Sequence, residues 1–436
     1  MISIDKIKPV NNSKVSLSQQ SFEMFVQNTC DYFMTLKNDV SKISPNEAID
    51  VISTLTVFRQ YFENESEWEG LTLQALSILQ NAVKRSMFDK IASFGGMTHV
   101  AFVTHDLALT APKVKPFHEG INKILLYNLT EYLKTSDENE FYTNGNYEVI
   151  KGLSGPLSYF LYANDDPRVH EMANRIIDIF IKRSKEIMLL EHRIPGWHYY
   201  PSAIEESFMT DKAKNGVINY GLSHGMAAPL VALSLAYKKG VRKDGLVEAV
   251  EGLISEYINA SYYANDIAYW PGRITFEQYV GLDEMPHEPS QMSWCYGSVG
   301  ILRSLYLSGV LMSNSKVEQF AVDEFIKIAK MSLSDYRLGQ MIVCHGYIGT
   351  AAILNAMYLD TGHVQFLDKT IEMIEAGAIF NIERFFENER TIAQARNEPS
   401  RASLHNHLEG YNGILQTMLS ILTGTVNGNE KRLLIA

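Results

Sequence analysis

"CYGSVGIL" at residues 295–302 places two glycines three positions apart in front of an apolar run. The same pattern occurs six times: a glycine, two residues, a second and usually small residue, and then an apolar run. The six copies are FGGMTH (94–99), KGLSGPL (151–157), SHGMAAPL (223–230), CYGSVGIL (295–302), CHGYIGTA (344–351) and LEGYNGIL (408–415). Their spacing is irregular, but each interval is long enough for two helices and their connections. The pattern therefore predicts one helical hairpin per copy.

Two kinds of helix are predicted around these glycines. The segments directly after them, such as ILRSLYLSGVLM (301–312), are apolar on most faces, as in helices that are buried on both sides. The segments between copies, such as VHEMANRIIDIFIKRSKEIMLL (169–190), alternate apolar and charged residues at helical spacing. We therefore predict an all-α fold, an α/α toroid with six inner and six or more outer helices. The glycines allow tight turns where the inner helices converge at one rim.

Strand-like sequence is scarce, and we treat residues 1–436 as a single toroid domain. Two stretches, HRIPGWHYYPS (192–202) and DIAYWPGRITFEQYVG (266–281), are rich in aromatic and β-branched residues around Pro-Gly. They predict short strands in a small β-containing insertion, within 166–220 or 255–290.

Composition excludes several classes of protein. With 46% hydrophobic and 20% charged residues, the 436-residue chain is an ordinary globular protein. The net charge of −11 argues against a nucleic-acid partner and is compatible with a cationic peptide. The most apolar run, MAAPLVALSLAY (226–237), is too short to cross a bilayer, and no signal peptide is recognised. Because three cysteines do not make a disulfide framework, we expect a cytoplasmic protein with reduced thiols, reaching a membrane only through partner proteins.

Two of the three cysteines occupy equivalent positions in the repeats. Cys295 and Cys344 each precede a glycine turn, and His345 follows Cys344 directly. Thiolates and imidazoles are the usual zinc ligands, and three protein ligands leave a fourth position open for catalysis. Cys30 lies in a helical segment, where a buried core thiol is expected. A cysteine can also serve as a small buried hydrophobe, and that alternative stays open for the pair.

The glycine motifs resemble those of the lanthionine synthetase C-like (LanC) family of lantibiotic cyclases. The motifs that carry the resemblance are GLSG (152–155), GLSHG (221–225), WCYG (294–297) and CHG (344–346), on a chain with six helical repeats. The resemblance extends from about Phe94 to Gly413. It implies an α/α toroid with catalytic zinc bound by Cys295, Cys344 and His345. It also implies an enzyme that adds peptide cysteine thiolates to dehydroalanine or dehydrobutyrine, forming lanthionine or methyllanthionine thioether rings.

The resemblance also implies roles for residues around the metal. His224 is the candidate proton donor for the enolate that the addition produces, since an imidazole titrates near neutral pH. Apart from the resemblance, the position of Tyr296 directly after Cys295 makes it a candidate hydrogen-bond donor to the site. A structural histidine that caps a turn and an aromatic residue packed at the rim are the respective alternatives.

The chain departs from the family pattern at two positions. The family usually has an aspartate shortly before GLSG, where this chain has Glu148, and it often has an arginine four residues before the WCYG cysteine, where this chain has Gln291. Glu148 keeps the carboxylate on a longer side chain, whereas Gln291 removes a positive charge. Arg273 and Arg303 are the candidates that could supply that charge instead.

The expected partners are a dehydrated lantibiotic precursor peptide, a dehydratase and a transporter. Two other functions remain open: a LanC-like transferase that adds glutathione to dehydrated proteins, and a non-catalytic zinc scaffold that binds peptides. A glycoside hydrolase would use two carboxylates, such as Glu148 and Glu409, but it leaves the cysteines unexplained. We interpret HNH (405–407) as a loop before the last inner helix and the charged stretch 381–403 as a solvated helix and loop.

Overall fold

Helices account for most of the fold in the computed structural model, which describes residues 2–8, 10, 15–135, 146–163, 167–202, 213–378, 381–397, 400 and 402–436. The helices are α1 (Ile4–Ile7), α2 (Gln19–Asp39), α3 (Pro45–Phe58), α4 (Glu65–Lys84), α5 (Met97–Thr110), α6 (Lys115–Thr135), α7 (Ser154–Tyr162), α8 (Pro167–Arg183), α9 (Ala227–Lys238), α10 (Leu246–Ala260), α11 (Phe276–Tyr279), α12 (Ser298–Met312), α13 (Ser315–Ala329), α14 (Tyr347–Thr361), α15 (Val364–Ala378), α16 (Ile382–Ala395), α17 (Tyr411–Thr423) and α18 (Gly428–Arg432).

The six predicted inner helices are present, and each begins at a repeated glycine motif. They are α5, α7, α9, α12, α14 and α17. Each packs against an outer helix, which is α6, α8, α10, α13, α15 or α2 in the same order. The inner helices are buried on nearly every face, whereas an outer helix such as α8 buries one apolar stripe that includes Val169, Ile176 and Phe180. The predicted α/α toroid is therefore confirmed.

The inner ring contains seven helices in the described part of the chain, so the expected number of six was wrong. Helix α3 lies between α5 and α17 and closes the ring, and α4 packs outside it. It begins without a glycine turn. Instead, the Ser44 hydroxyl accepts a hydrogen bond from the Glu47 N–H, and the Glu47 carboxylate accepts one from the Ser44 N–H, with Pro45 in the first turn. A search for repeated glycines therefore could not find it.

Backbone hydrogen bonds join the turns that precede the inner helices. Neighbouring turns are connected by bonds from Ser93 N–H to the Ile150 carbonyl (2.9 Å), Val149 to Ser223 (3.3 Å), Leu222 to Cys295 (3.0 Å), Cys295 to Cys344 (3.1 Å) and Cys344 to Leu408 (2.9 Å). These bonds satisfy polar groups that would otherwise be buried without partners. They also hold the two cysteine-bearing turns next to each other at the rim.

The turn before α12 requires glycine at one position. Gly297 has φ +133°, a region that other residues rarely adopt, and a Cβ there would collide with the Gln291 carbonyl. Gly297 therefore fixes the close turn that brings Cys295 to the rim.

In the described residues, the strands form three short antiparallel pairs. The pairs are β1 (Glu186–Leu189) with β2 (His192–Pro195), β3 (Val217–Asn219) with β6 (Arg273–Thr275), and β4 (Tyr262–Ala264) with β5 (Ile267–Tyr269). All six lie within 166–220 and 255–290, the intervals where β structure was expected; residues 166 and 203–212 fall outside the described residues. Pair β3–β6 joins the two intervals. The assignment of 1–436 to a single domain stays a proposal.

The segment 427–435 occupies the interior of the toroid. The Trp294 indole N–H donates to the Leu433 carbonyl (2.9 Å), and Arg432 lies fully buried 3.8 Å from Asp50. His407 lies in the loop before the last inner helix, as the sequence predicted, and it is buried in the same interior. Among the described helices, none is long and apolar enough to cross a membrane.

Candidate metal centre

Three potential metal ligands converge at the rim. The Sγ atoms of Cys295 and Cys344 and a ring nitrogen of His345 all lie within 4.8 Å of one another. In the described part of the chain, this is the one group of three or more histidine, cysteine or acidic residues placed to share an ion. Cys295 is buried, and the other two are half-buried. The structure therefore brings together the three residues that the sequence motifs singled out.

The donor set fits a zinc ion. Zinc–sulfur bonds of about 2.3 Å at tetrahedral angles place two ligand sulfurs about 3.8 Å apart, so small side-chain adjustments suffice to close the site. The pKa of Cys295 lies well below its ordinary value, first because the Cys344 side chain hydrogen-bonds to it and then because His345 adds a hydrogen bond and charge. A thiolate is the form that binds metal. The two neighbours of Cys295 thus favour its thiolate form.

His345 responds to the same contact. Burial by itself lowers the pKa of this imidazole, but the hydrogen bond and negative charge of Cys295 outweigh burial and raise it. Cys30, in contrast, lies on α2, and burial raises the pKa of its thiol. Cys30 lies outside the group of three potential ligands, and it is half-buried, whereas the sequence predicted a buried core thiol.

His224 and Glu148 form a hydrogen-bonded pair on the adjoining turns. His224 Nδ1 lies 2.7 Å from Glu148 Oε2, and the turn that carries His224 is joined to the turn that carries Cys295 by the hydrogen bond from Leu222 N–H to the Cys295 carbonyl. The histidine side chain is 41% exposed and the glutamate side chain 8%. With Nδ1 directed at the carboxylate, Nε2 is the ring nitrogen that remains for a substrate.

The Glu148 carboxylate is fixed by the backbone of its own turn. It accepts hydrogen bonds from the N–H groups of Ile150 (3.1 Å), Gly152 (2.6 Å) and Lys151. Burial lowers the pKa of His224, but the hydrogen bond and charge of Glu148 outweigh it, and the pKa is raised. The turn that carries Glu148 therefore accommodates the longer side chain and holds its carboxylate against His224.

Tyr296 lies beside His224, with their ring centroids 6.3 Å apart. Its hydroxyl accepts hydrogen bonds from Asn219 Nδ2 (2.9 Å) and Arg273 Nη2 (3.3 Å). Arg273 was one of two arginines proposed from the sequence. The sequence did not predict Asn219, because its contact with Tyr296 arises from the β3–β6 pairing and no local motif indicates it.

The chain is similar to known proteins over most of its length. A family model described as lanthionine synthetase C-like protein matches residues 54–432. The chain belongs to the lanthionine synthetase C-like family. This LanC-like chain is 25% identical over 265 residues to the nisin biosynthesis protein NisC of Lactococcus lactis subsp. lactis, in a match that covers 60% of either protein. The chain thus spans 60% of the length of that curated relative.

A solved structure of a nisin cyclase has the same fold as the LanC-like chain. The two superpose with a TM-score of 0.77, covering 93% of this chain and 97% of the cyclase, at 18% sequence identity. The family resemblance inferred from the glycine and cysteine motifs is confirmed.

The two departures from the family motifs have different surroundings in this LanC-like chain. The Glu148 carboxylate is hydrogen-bonded to His224 and to the backbone of its own turn. Gln291, in contrast, is half-buried, and its carbonyl packs against Gly297. Arg303 does not serve the rim, because its guanidinium is buried and bonds to Asp360 Oδ2 (2.7 Å) and the Ile435 carbonyl (2.8 Å). Of the two arginines proposed to supply the missing charge, Arg273 is the one that contacts a site residue.

The sequence did not predict that the carboxylate of Glu389 lies near His345. Within the charged stretch 381–403, helix α16 is largely solvated as expected, but it buries Glu389 against Gln340, with 2.6 Å between Gln340 Nε2 and Glu389 Oε2. Burial raises the pKa of Glu389, and its charge interacts with that of His345. Because the sequence of α16 is typical of a charged surface helix, it does not indicate that Glu389 is buried near His345.

Proposed function

We propose that this LanC-like chain is a zinc-dependent cyclase that forms lanthionine and methyllanthionine rings in a dehydrated lantibiotic precursor. The observation that carries the proposal is the convergence of Cys295, Cys344 and His345 within 4.8 Å, on turns bonded to the one that holds His224. The printed names of its relatives, a nisin biosynthesis protein and a nisin cyclase, support the same activity.

Each group has a distinct part in the chemistry. Zinc held by Cys295, Cys344 and His345 would deprotonate an incoming cysteine thiol at neutral pH. The two protein thiolates and the neutral imidazole offset the charge of the ion. The rim thus offers an open position at which a peptide cysteine is bound and oriented next to His224.

His224 completes the addition by supplying a proton. The substrate thiolate attacks the β-carbon of the dehydro residue, a carbon–sulfur bond forms, and the π electrons move to give an enolate. His224 Nε2 donates its proton to the α-carbon, and Glu148 holds the Nδ1–H and stabilises the imidazolium. The raised pKa of His224 keeps more of the side chain in its acidic form near neutral pH.

The remaining assignments belong to the same proposal. A dehydratase must supply the dehydroalanine and dehydrobutyrine residues, and a transporter would export the product. We place the protein in the cytoplasm, where its thiol ligands stay reduced.

Counting free thiols tests the proposed function. The chain is co-expressed with a candidate dehydratase and a cysteine-containing precursor, and the purified peptide is alkylated and weighed. Ring closure is an isomerisation, so before alkylation the peptide should keep the mass of the dehydrated precursor. After alkylation we expect fewer alkylated thiols, and hence a smaller gain in mass, than in a culture without the chain. A peptide that gains glutathione identifies the transferase instead. A dehydrated peptide that binds but keeps every thiol contradicts cyclase activity and favours the scaffold.

Replacing Glu148 by glutamine is expected to change the pH dependence of catalysis. His224 must be protonated to act as the acid, so the rate falls as pH rises through its pKa. Glutamine removes the negative charge that raises this pKa, and the alkaline limb of the kcat–pH profile should move to lower pH. Glu148→Asp is the matched control, because it keeps the charge and should keep the limb near its original position. Identical profiles for the two variants, at equal melting temperatures, would rule out electrostatic support of His224.

A further inference from the structure

The strand pair β3–β6 brings two hydrogen-bond donors to one tyrosine of the rim. Asn219 and Arg273 are paired in the β3–β6 register, and both donate to the hydroxyl of Tyr296. Tyr296 directly follows Cys295 in the chain. The strand pair therefore places the cationic side chain of Arg273 against Tyr296, the residue next to the metal centre.

The orientation of Asn219 is determined by its second contact. The side chain is fully buried, and its Oδ1 accepts a hydrogen bond from the Gly221 N–H at 3.0 Å. Its Nδ2 group must therefore face Tyr296 as a donor. The guanidinium of Arg273 has donors only. Both contacts thus occupy lone pairs of the phenol oxygen, and neither uses the phenol hydrogen.

Two glycines lie against the same edge of the Tyr296 ring. A Cβ on Gly221 would lie 2.7 Å from the tyrosine ring, and one on Gly272 would lie 3.4 Å from it. The centroid of this ring lies 6.3 Å from that of the His224 ring. Among the described residues, no acceptor lies within hydrogen-bond distance of the Tyr296 hydroxyl; the two partners found there are the donors Asn219 and Arg273. Its hydrogen thus has no acceptor in the described part of the chain.

The addition reaction produces an oxygen anion that needs such a donor. When the thiolate attacks the β-carbon, the negative charge moves to the carbonyl oxygen of the dehydro residue, while the proton from His224 goes to the α-carbon. A fixed donor aimed at this oxygen stabilises the charge as it develops. Two donors that bind the phenol oxygen, one of them cationic, polarise its O–H bond and strengthen the hydrogen bond that it makes.

We propose that Asn219 and Arg273 position and polarise Tyr296, which donates a hydrogen bond to the enolate oxygen. Tyr296 is then a catalytic residue that keeps its proton throughout, and Asn219 and Arg273 are positioning residues that act through it. Arg273 supplies from strand β6 the positive charge that Gln291 does not. This inference rests on the proposed cyclase function.

The test compares Tyr296→Phe, Arg273→Gln and the double variant on a dehydrated precursor. We expect kcat to fall about 100-fold for Tyr296→Phe, as for other lost oxyanion donors, with KM and zinc content unchanged. Arg273→Gln should lower kcat about 10-fold and Arg273→Lys by less, because lysine restores the charge. The double variant should be no slower than Tyr296→Phe alone, since Arg273 acts through the hydroxyl.

Two further measurements separate this role from a structural one. Affinity for the undehydrated precursor, measured by calorimetry, should be the same for all variants, because that peptide forms no enolate. Arg242→Gln, which removes an exposed arginine stacked on Tyr237 beyond the end of α9, is the matched control and should leave kcat unchanged. Should Arg273→Gln fail to fold, the result for Tyr296→Phe decides, because that change removes a single oxygen.

The outcomes distinguish this inference from the function on which it rests. Wild-type kcat in Tyr296→Phe, or strictly multiplicative losses in the double variant, would overturn the inference while the cyclase function stands. A wild-type chain that binds the dehydrated peptide and closes no ring would overturn both.

Discussion

Replacing Cys344 by alanine should abolish zinc binding and reduce ring closure to the uncatalysed background. The substitution removes one of three ligands, and two remaining ligands do not make a stable protein zinc site. It also removes the hydrogen bond that contributes most to the low pKa of Cys295, so the second thiol becomes a poorer ligand. Zinc per chain, measured by elemental analysis, and alkylated thiols in the product peptide report the two effects.

Cys30→Ala is the matched control for this change. Cys30 lies on α2 outside the group of three ligands, and burial keeps its pKa raised. We expect this variant to retain about one zinc per chain and full activity, with at most a modest loss of stability from the partly buried thiol. Stoichiometric zinc in Cys344→Ala, or zinc loss in Cys30→Ala, would show that the ligand assignment is wrong.

Replacing His224 by asparagine should slow ring closure roughly 100-fold or more while zinc is retained, the usual scale for the loss of a general acid. Asparagine can still donate a hydrogen bond to Glu148, so the turn should keep its structure, but it offers no proton to the α-carbon. The single-turnover rate and the zinc content, measured on the same preparation, separate chemistry from metal binding.

His170→Asn provides the comparison for His224→Asn, because His170 is an exposed histidine on the outer helix α8. It should leave both rate and metal content unchanged. Loss of zinc in His224→Asn would make His224 a ligand or a residue needed for folding, and the assigned role as proton donor would fail.

The glycine repeats predicted the architecture because they are a local property of the chain. Each inner helix that starts at a close turn needs a residue without a side chain, as Gly297 shows, and such a requirement is visible in the sequence. Helix α3 was missed because a Ser44–Glu47 capping box does the same task with ordinary polar residues. Many helices begin with such a capping box, so its presence does not indicate that α3 belongs to the inner ring.

The candidate site was predictable to the extent that it lies on the motifs themselves. Cys295, Cys344, His345 and His224 follow the repeats, and the rim hydrogen bonds bring their turns together. The surrounding contacts depend on tertiary packing. Arg303 stands close to the same motif as Cys295, yet it projects into the interior toward Asp360, whereas Arg273 arrives at Tyr296 from a distant strand. Distances along the chain do not distinguish these two outcomes.

X-ray absorption at the zinc edge tests the central claim most directly. The purified chain should contain about one zinc with two sulfur scatterers at about 2.3 Å and at least one nitrogen, and a cysteine-containing precursor peptide should raise the sulfur number from two to three. A serine-for-cysteine version of that peptide should leave the spectrum unchanged. Zinc with four protein ligands that does not respond to the peptide, or a zinc-free chain with full cyclase activity, would contradict an open catalytic centre at Cys295, Cys344 and His345.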